Sequence, residues 1–192
     1  MEEKELIDRA RRGEEDAFAA LVDRYRTKMF NLAYSMTRNR EEADDMTQDV
    51  FVKAWRHISG FQGRSAFGTW LYRIAVNTVR DFMRRESRFP KIEYQDYHAQ
   101  SRHEEDALHK NEAKAEQERL KDILRRAMRT LPEKYRVILS MRDIQGMPYG
   151  EIARILGLSP GTVDSRLFRA RKRLRQAVER MPSANGGNHA LS

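Results

Sequence analysis

Apolar residues recur three and four positions apart through most of this chain, and nowhere do they alternate one by one. That pattern predicts helices and no strands. The periodicity runs over residues 3–87, lapses over 88–110, resumes near Asn111, pauses at Leu131 and Pro132, and continues through 136–144, 149–156 and 161–180. The expected class is therefore all-α, with two small helical domains at 1–87 and 111–181. A flexible linker is expected at 88–110, where Pro90, aromatic and acidic residues break the period, and a disordered tail at 182–192.

The sharpest pattern lies near the C-terminal end. Val163, Leu167, Ala170 and Leu174 follow one another at spacings of four, three and four and share one face of a helix. Ser165, Phe168, Arg169 and Lys172 point the other way. Ser159 suits an N-cap, Pro160 the first helical turn, and Gly157 the C-cap of a preceding helix over 149–156. Two helices joined by so short a hinge, the second carrying seven basic residues (Arg166, Arg169, Arg171, Lys172, Arg173, Arg175, Arg180) against Asp164 and Glu179, match a helix-turn-helix. The plainer alternative is a helical hairpin with a solvated basic face, and an exposed Phe168 among arginines counts against it.

Composition narrows the partner. A net charge of +8 over 192 residues, with a pI near 9.9, favours a polyanion, because neutralising phosphates releases counterions. Charge alone does not choose between nucleic acid and an anionic membrane. No apolar run approaches the roughly 20 residues of a membrane span, and the charged opening MEEKELIDRARRGEE is unlike a secretory leader, so a cytoplasmic protein without membrane insertion is expected. The chain has no cysteine, and its five histidines show no ligand spacing on a shared helix face; neither metal nor cofactor is expected.

Three constellations stand out in the first half. The helix beginning near Glu41 places Ala43, Met46, Val50 and Ala54 on one side and Glu41, Asp45, Gln48 and Asp49 on the other. An acidic face on a basic protein fits a docking surface for a protein partner, or else a solubilising face whose acids favour their own helix N-terminus. Next, the loop SGFQGRSAFGTW (59–70) sets Phe61, Phe67 and Trp70 beside Arg64, a combination suited to stacking unpaired bases. At least one of Phe67 and Trp70 is expected in the core as the next helix starts, and Phe61 is expected to be the exposed one. Along that helix Leu71, Ile74, Thr78 and Phe82 form an apolar stripe, while Arg73, Asn77, Arg80 and Arg84 line a cationic strip. An asparagine among arginines can bond a base edge while the guanidiniums hold phosphates; solvated arginines are the alternative reading.

Taken together, DAFAALVDRY (16–25), EEADDMTQDVFVKAW (41–55), FQGRSAFGTWLYRIAVNTVRDF (61–82), LPEKYRVILSMRDIQGMPYGEIARILG (131–157) and the helix-turn-helix resemble bacterial RNA polymerase sigma factors of the extracytoplasmic function (ECF) group, close to its RpoE-like members. The resemblance covers both domains in order and leaves only linker and tail unmatched. It implies a protein that directs core RNA polymerase to promoters and performs no chemistry itself. Asp45, Gln48, Asp49 and Phe51 inherit docking on the clamp coiled coil of the largest polymerase subunit. Phe61, Arg64, Ser65, Phe67, Trp70, Arg73, Asn77, Arg80 and Arg84 inherit recognition and melting of the −10 element, with capture of a flipped base.

The same resemblance assigns Thr162, Ser165, Arg166, Phe168, Arg169 and Arg171 to the −35 element. Ser165, Phe168 and Arg169 would face bases, and Arg166 and Arg171 would lie nearer phosphates. Asp164 departs from the basic residue that many relatives carry there, which bears on the −35 preference. The C-terminal domain would also meet the polymerase flap, and an anti-sigma factor would hold the protein inactive. Two other classes compete: a stand-alone helix-turn-helix regulator, and a magnesium nuclease built on Asp44, Asp45 and Asp49. The second needs carboxylates converging on a cleft, and these lie along one helix face. No small-molecule substrate is expected.

Overall fold

A computed structural model describes residues 2–88 and 108–181, apart from the side chains of 86–88 and 108–115. The linker and tail expected from the sequence fall largely or wholly outside the described residues. Every regular element described is helical.

The first body is built from α1 (Glu3–Arg11), α2 (Glu15–Thr37), α3 (Arg40–His57) and α4 (Phe67–Arg88). Asn39 starts α3 by accepting from the amides of Glu41 and Glu42 through its side-chain oxygen, at 2.9 and 3.3 Å. Ala43, Met46, Val50 and Ala54 are buried, as the periodicity predicts, and α3 packs most extensively on α2. Helices α2 and α4 approach closely where Gly68 lies under Tyr25; a Cβ there would sit 3.1 Å from the Tyr25 ring. The Tyr25 hydroxyl donates to Glu3 at 2.9 Å and ties α1 to this corner.

The second body comprises α5 (Leu108–Arg129), α6 (Glu133–Leu139), α7 (Tyr149–Leu156) and α8 (Pro160–Glu179). Helix α6 widens at its end into a π-type turn, in which the amide of Gln145 reaches the carbonyl of Ser140 at 3.1 Å. Gly157 takes the left-handed conformation (φ 65°) that closes α7, and Ser159 accepts the Thr162 amide at 3.2 Å to open α8. Val163, Leu167 and Ala170 have no exposed surface.

The two bodies lie against each other, α6 and the π-type turn on α2, and α7 on α4. Their buried apolar residues form one continuous cluster from Leu6 to Ala170. Within the contact, the hydroxyls of Ser35 and Ser140 meet at 2.7 Å, both buried. Arg136 donates to the Met36 carbonyl at 3.1 Å, and burial pulls its guanidinium below the ordinary value, with Glu133 acting in the opposite sense. Tyr72 donates to the Gln145 side chain, and burial raises its phenol.

Because Leu167 is fully enclosed, Leu167→Ala is expected to destabilise the protein by about 2–5 kcal/mol. Ser159→Ala, which removes only the cap, should cost about 1 kcal/mol. Urea unfolding followed by circular dichroism measures both, and equal effects would mean that α8 is not anchored through its apolar stripe.

Candidate nucleic-acid interface

Helix α8 presents two faces of different character. Beneath the buried stripe's opposite side, Ser165, Phe168 and Arg169 are exposed, and Phe168 leaves 70% of its surface in solvent. Arg169 folds back on its own helix, donating to the Ser165 carbonyl at 3.1 Å and the Ser165 hydroxyl at 3.2 Å. Those are local bonds that a nucleobase or phosphate could replace. Thr162 sits at the helix mouth with its hydroxyl 2.8 Å from that of Ser159. Arg166 is half-buried beside them, and Asp164 is exposed with no arginine partner among the described residues.

Arg171 is placed differently from its neighbours. It holds Asp143, on the π-type turn, at 2.6 and 3.2 Å, and that bond raises its already high pKa. Its guanidinium therefore braces α8 against the preceding segment as well as facing outward.

The aromatic loop differs from expectation. Phe61 is buried, at 7% exposed, and Phe67 at 2%; only Trp70 is half-open. The three rings cluster with centroids 5.2 to 5.7 Å apart, and Tyr25 adds an edge contact to Phe67 at 5.5 Å. The expectation that Phe61 stands out in solvent is thus corrected: ring-on-ring packing gives it a better environment than water. The loop exposes Gln62, Gly63, Arg64 and Ala66, and Ser65 is half-buried.

Along α4 the buried face is centred on Leu71, Tyr72, Ala75, Val76 and Val79. It is rotated from the Leu71, Ile74, Thr78 and Phe82 stripe, in which Ile74 and Phe82 are only half-buried. The cationic strip lies beside this face. Asn77 and Arg84 are exposed. Arg73 donates twice to the Arg154 carbonyl at the end of α7, at 2.7 and 3.1 Å, and Arg80 meets Glu133 of α6 at 3.0 Å. Two of the strip's four residues are thus engaged by the second body.

On the far side of α3, Asp45, Gln48 and Asp49 are exposed. Asp45 and Gln48, but not Asp49, line a groove of about 720 Å³ between α2 and α3, floored by Phe18, Val22, Phe51, Val52 and Trp55 and rimmed by Glu15, Asp23, Asp44 and Asp45 together with Arg26 and Arg56. Phe51 is 8% exposed and takes part as a floor residue. Sequence reasoning missed the α2 side of this groove. Its signal was there in Phe18 and Val22, four apart, and in Val52 and Trp55 interrupting an acidic face. Among the described residues, no group of three histidines, cysteines or carboxylates could hold a metal ion, and no helix is long and apolar enough to cross a membrane.

Residues 21–89 match the family described as Sigma-70 region 2, and residues 121–174 match Sigma-70, region 4. The chain is 34% identical over 182 residues to the RNA polymerase sigma-H factor of Pseudomonas aeruginosa, covering 93% of this chain and 94% of that protein. It is 35% identical over 180 residues to the ECF RNA polymerase sigma-E factor of Escherichia coli K12, covering 91% and 93%. Among solved structures it is similar to CnrH in complex with the cytosolic domain of CnrY (TM-score 0.64, 29% identity, 91% of this chain and 95% of that one). The fold is also shared with RpoE in complex with the anti-sigma factor NepR from Bartonella quintana (TM-score 0.62, 23% identity, 86% and 98%).

Since Phe61 is enclosed by two rings, Phe61→Ala is expected to lower stability by about 3–5 kcal/mol. A urea midpoint equal to that of the parent chain would show that the ring contributes to binding and not to the core.

Proposed function

The chain belongs to the ECF group of RNA polymerase sigma factors, and we propose that it uses three separate surfaces to bring core polymerase to its promoters. The face of α8 with Thr162, Ser165, Arg166, Phe168, Arg169 and Arg171 reads the −35 duplex. The strip Arg73, Asn77, Arg80 and Arg84, with Arg64, Ser65 and Trp70 at its head, takes the opened −10 strand, while Phe61 and Phe67 form the platform beneath. The groove lined by Asp45 and Gln48, with Phe51 in its floor and the exposed Asp49 on the same helix, docks on the polymerase clamp. Residues 1–87 and 111–181 are the corresponding functional domains.

The observation that carries this reading is the opposition on α8. Val163, Leu167 and Ala170 are wholly buried while Ser165, Phe168 and Arg169 on the other side are open, so the helix is fixed in place yet free to enter a major groove. An arginine can meet guanine in a bidentate pair and a phenyl ring can meet a thymine methyl. The acidic groove supports a protein partner, because its charge is opposite to that of the chain as a whole and its floor is apolar.

In this role the protein binds and positions without catalysing a reaction or holding a cofactor, and it works in the cytoplasm beside the polymerase. An anti-sigma factor is the expected regulator, in keeping with the complex of RpoE with the anti-sigma factor NepR in which one structural neighbour was solved. The flap of the second-largest polymerase subunit is the expected partner of the second body.

Run-off transcription with purified core polymerase on a promoter library tests the proposal: initiation at a defined subset of promoters supports it. Symmetric footprinting by the chain alone, with no response to core, would favour a stand-alone regulator. Arg169→Ala is expected to weaken −35 recognition by about 1–3 kcal/mol without altering core binding, since its bonds are local to an exposed turn. Asn77→Ala should leave −35 duplex binding intact and reduce permanganate reactivity of promoter thymines; unchanged reactivity would remove Asn77 from strand opening.

A further inference from the structure

Four guanidiniums gather where α2 ends and α5 gives way to α6: Arg38 at the C-cap of α2, Arg125 and Arg129 towards the end of α5, and Arg136 in α6. None of them belongs to the three surfaces described above. Burial holds the Arg38 guanidinium below its ordinary value, and Arg125, Arg129 and Arg136 push it the same way, with Tyr34 acting in the opposite sense. Arg38 therefore feels all three like charges.

The cluster has more donors than acceptors. Arg136, only 8% exposed, gives one nitrogen to the Met36 carbonyl at 3.1 Å and turns a second towards the Met83 sulfur at 3.9 Å, while its Nε is buried without a partner. The Nε of Arg38 is buried and unpartnered too, with its Cζ 5.8 Å from the centre of the Tyr34 ring. Arg125 faces Glu118 at 3.7 Å and Asp122 at 3.9 Å, distances too long for hydrogen bonds. Arg129 is exposed and has no ion-pair partner among the described residues. The C-terminal dipole of α2 accounts for one cation here, through the Met36 bond, and not for four.

The backbone points to the same place. Arg38 is the one non-glycine residue among the described residues with a left-handed conformation (φ 58°), at a helix terminus where glycine or asparagine is unstrained. Strain that crowds like charges together is characteristic of a ligand clamp.

We propose that this cluster binds a small phosphate-bearing anion, held by Arg38, Arg129 and Arg136 with Arg125 at its edge. An oxyanion supplies the acceptors that two buried Nε atoms lack, offsets the repulsion among the guanidiniums and matches their planar forks. Depth selects the ligand. Arg136 is enclosed and Arg38 half-buried, so a free anion can pass between the side chains where the backbone of a duplex is too wide to follow, and Arg129 marks the mouth.

Isothermal titration of the full-length chain with sodium pyrophosphate, at an ionic strength held constant with sodium chloride, is expected to show one saturable site per chain. Arg38→Gln and Arg129→Gln leave the Met36 bond in place, and each should weaken binding at least about tenfold. Arg129 is exposed, so its variant stays readable whether or not Arg38→Gln folds. Lys4→Gln makes the same change in net charge at an exposed position of α1 and should keep the affinity within about twofold of the parent. No saturable binding by the parent, or an equal loss in Lys4→Gln, overturns the site.

Thermal unfolding reads the same cluster with opposite signs. Without the anion, Arg129→Gln relieves repulsion and should melt above Lys4→Gln; in saturating pyrophosphate it should melt below it. The same ranking in both buffers contradicts the proposal. DNA phosphate is the other source of this chemistry. Binding to a labelled random-sequence duplex should stay within about twofold of the parent in both arginine variants, and a loss as large as that for pyrophosphate would assign the cluster to the DNA backbone instead.

Discussion

Helix α4 has one circumference and three demands on it. Leu71, Tyr72, Ala75, Val76 and Val79 must be buried for the first body to hold together, Arg73 and Arg80 engage the second body, and Asn77 and Arg84 remain in solvent. Because α4 is held by buried residues, the backbone that carries its cationic strip is fixed in position. The second body packs on α4 beside the strip and touches it through Arg154 and Glu133. In this structure two of the four strip residues, Arg73 and Arg80, are taken by the second body.

Electrostatics divide the labour among the surfaces. The chain carries +8 overall, yet on the groove between α2 and α3 Glu15, Asp23, Asp44 and Asp45 outnumber Arg26 and Arg56. Positive charge gathers on α8 and α4, which face nucleic acid in the proposed role. Such an arrangement steers DNA away from the groove and leaves it to a protein whose contact surface is basic and apolar. On α8 the arginines are not equivalent. Arg171 is committed to Asp143, whereas Arg169 is bonded only to its own turn, so their contributions to DNA affinity should differ even though both belong to one basic helix.

What was legible in the sequence is what repeats within a single helix. The α8 stripe, the Ser159 cap and the Gly157 terminus follow from 3.6-residue periodicity and local turn chemistry, and the structure has each of them. The two faces of α3 were readable for the same reason. Phe61 was not, because its burial depends on Phe67 and Trp70 converging from the start of α4, and local composition cannot distinguish a ring meant for bases from one meant for other rings. The groove required knowing that Phe18 and Val22 of α2 lie beside Phe51 and Trp55 of α3. The contact between Ser35 and Ser140 joins residues 105 positions apart, and no periodicity in either segment announces it.

If α4 and α8 hold the −10 and −35 elements at once, the two bodies, packed on each other here, move apart on core polymerase. With no native cysteine, dyes can be placed uniquely at Gln62, beside the aromatic loop, and Glu179, at the end of α8, both exposed. Single-molecule energy transfer between them should be high in the free chain and fall to a distinct low-transfer population when core polymerase is added. A transfer efficiency that does not change on adding saturating core polymerase would contradict the claim.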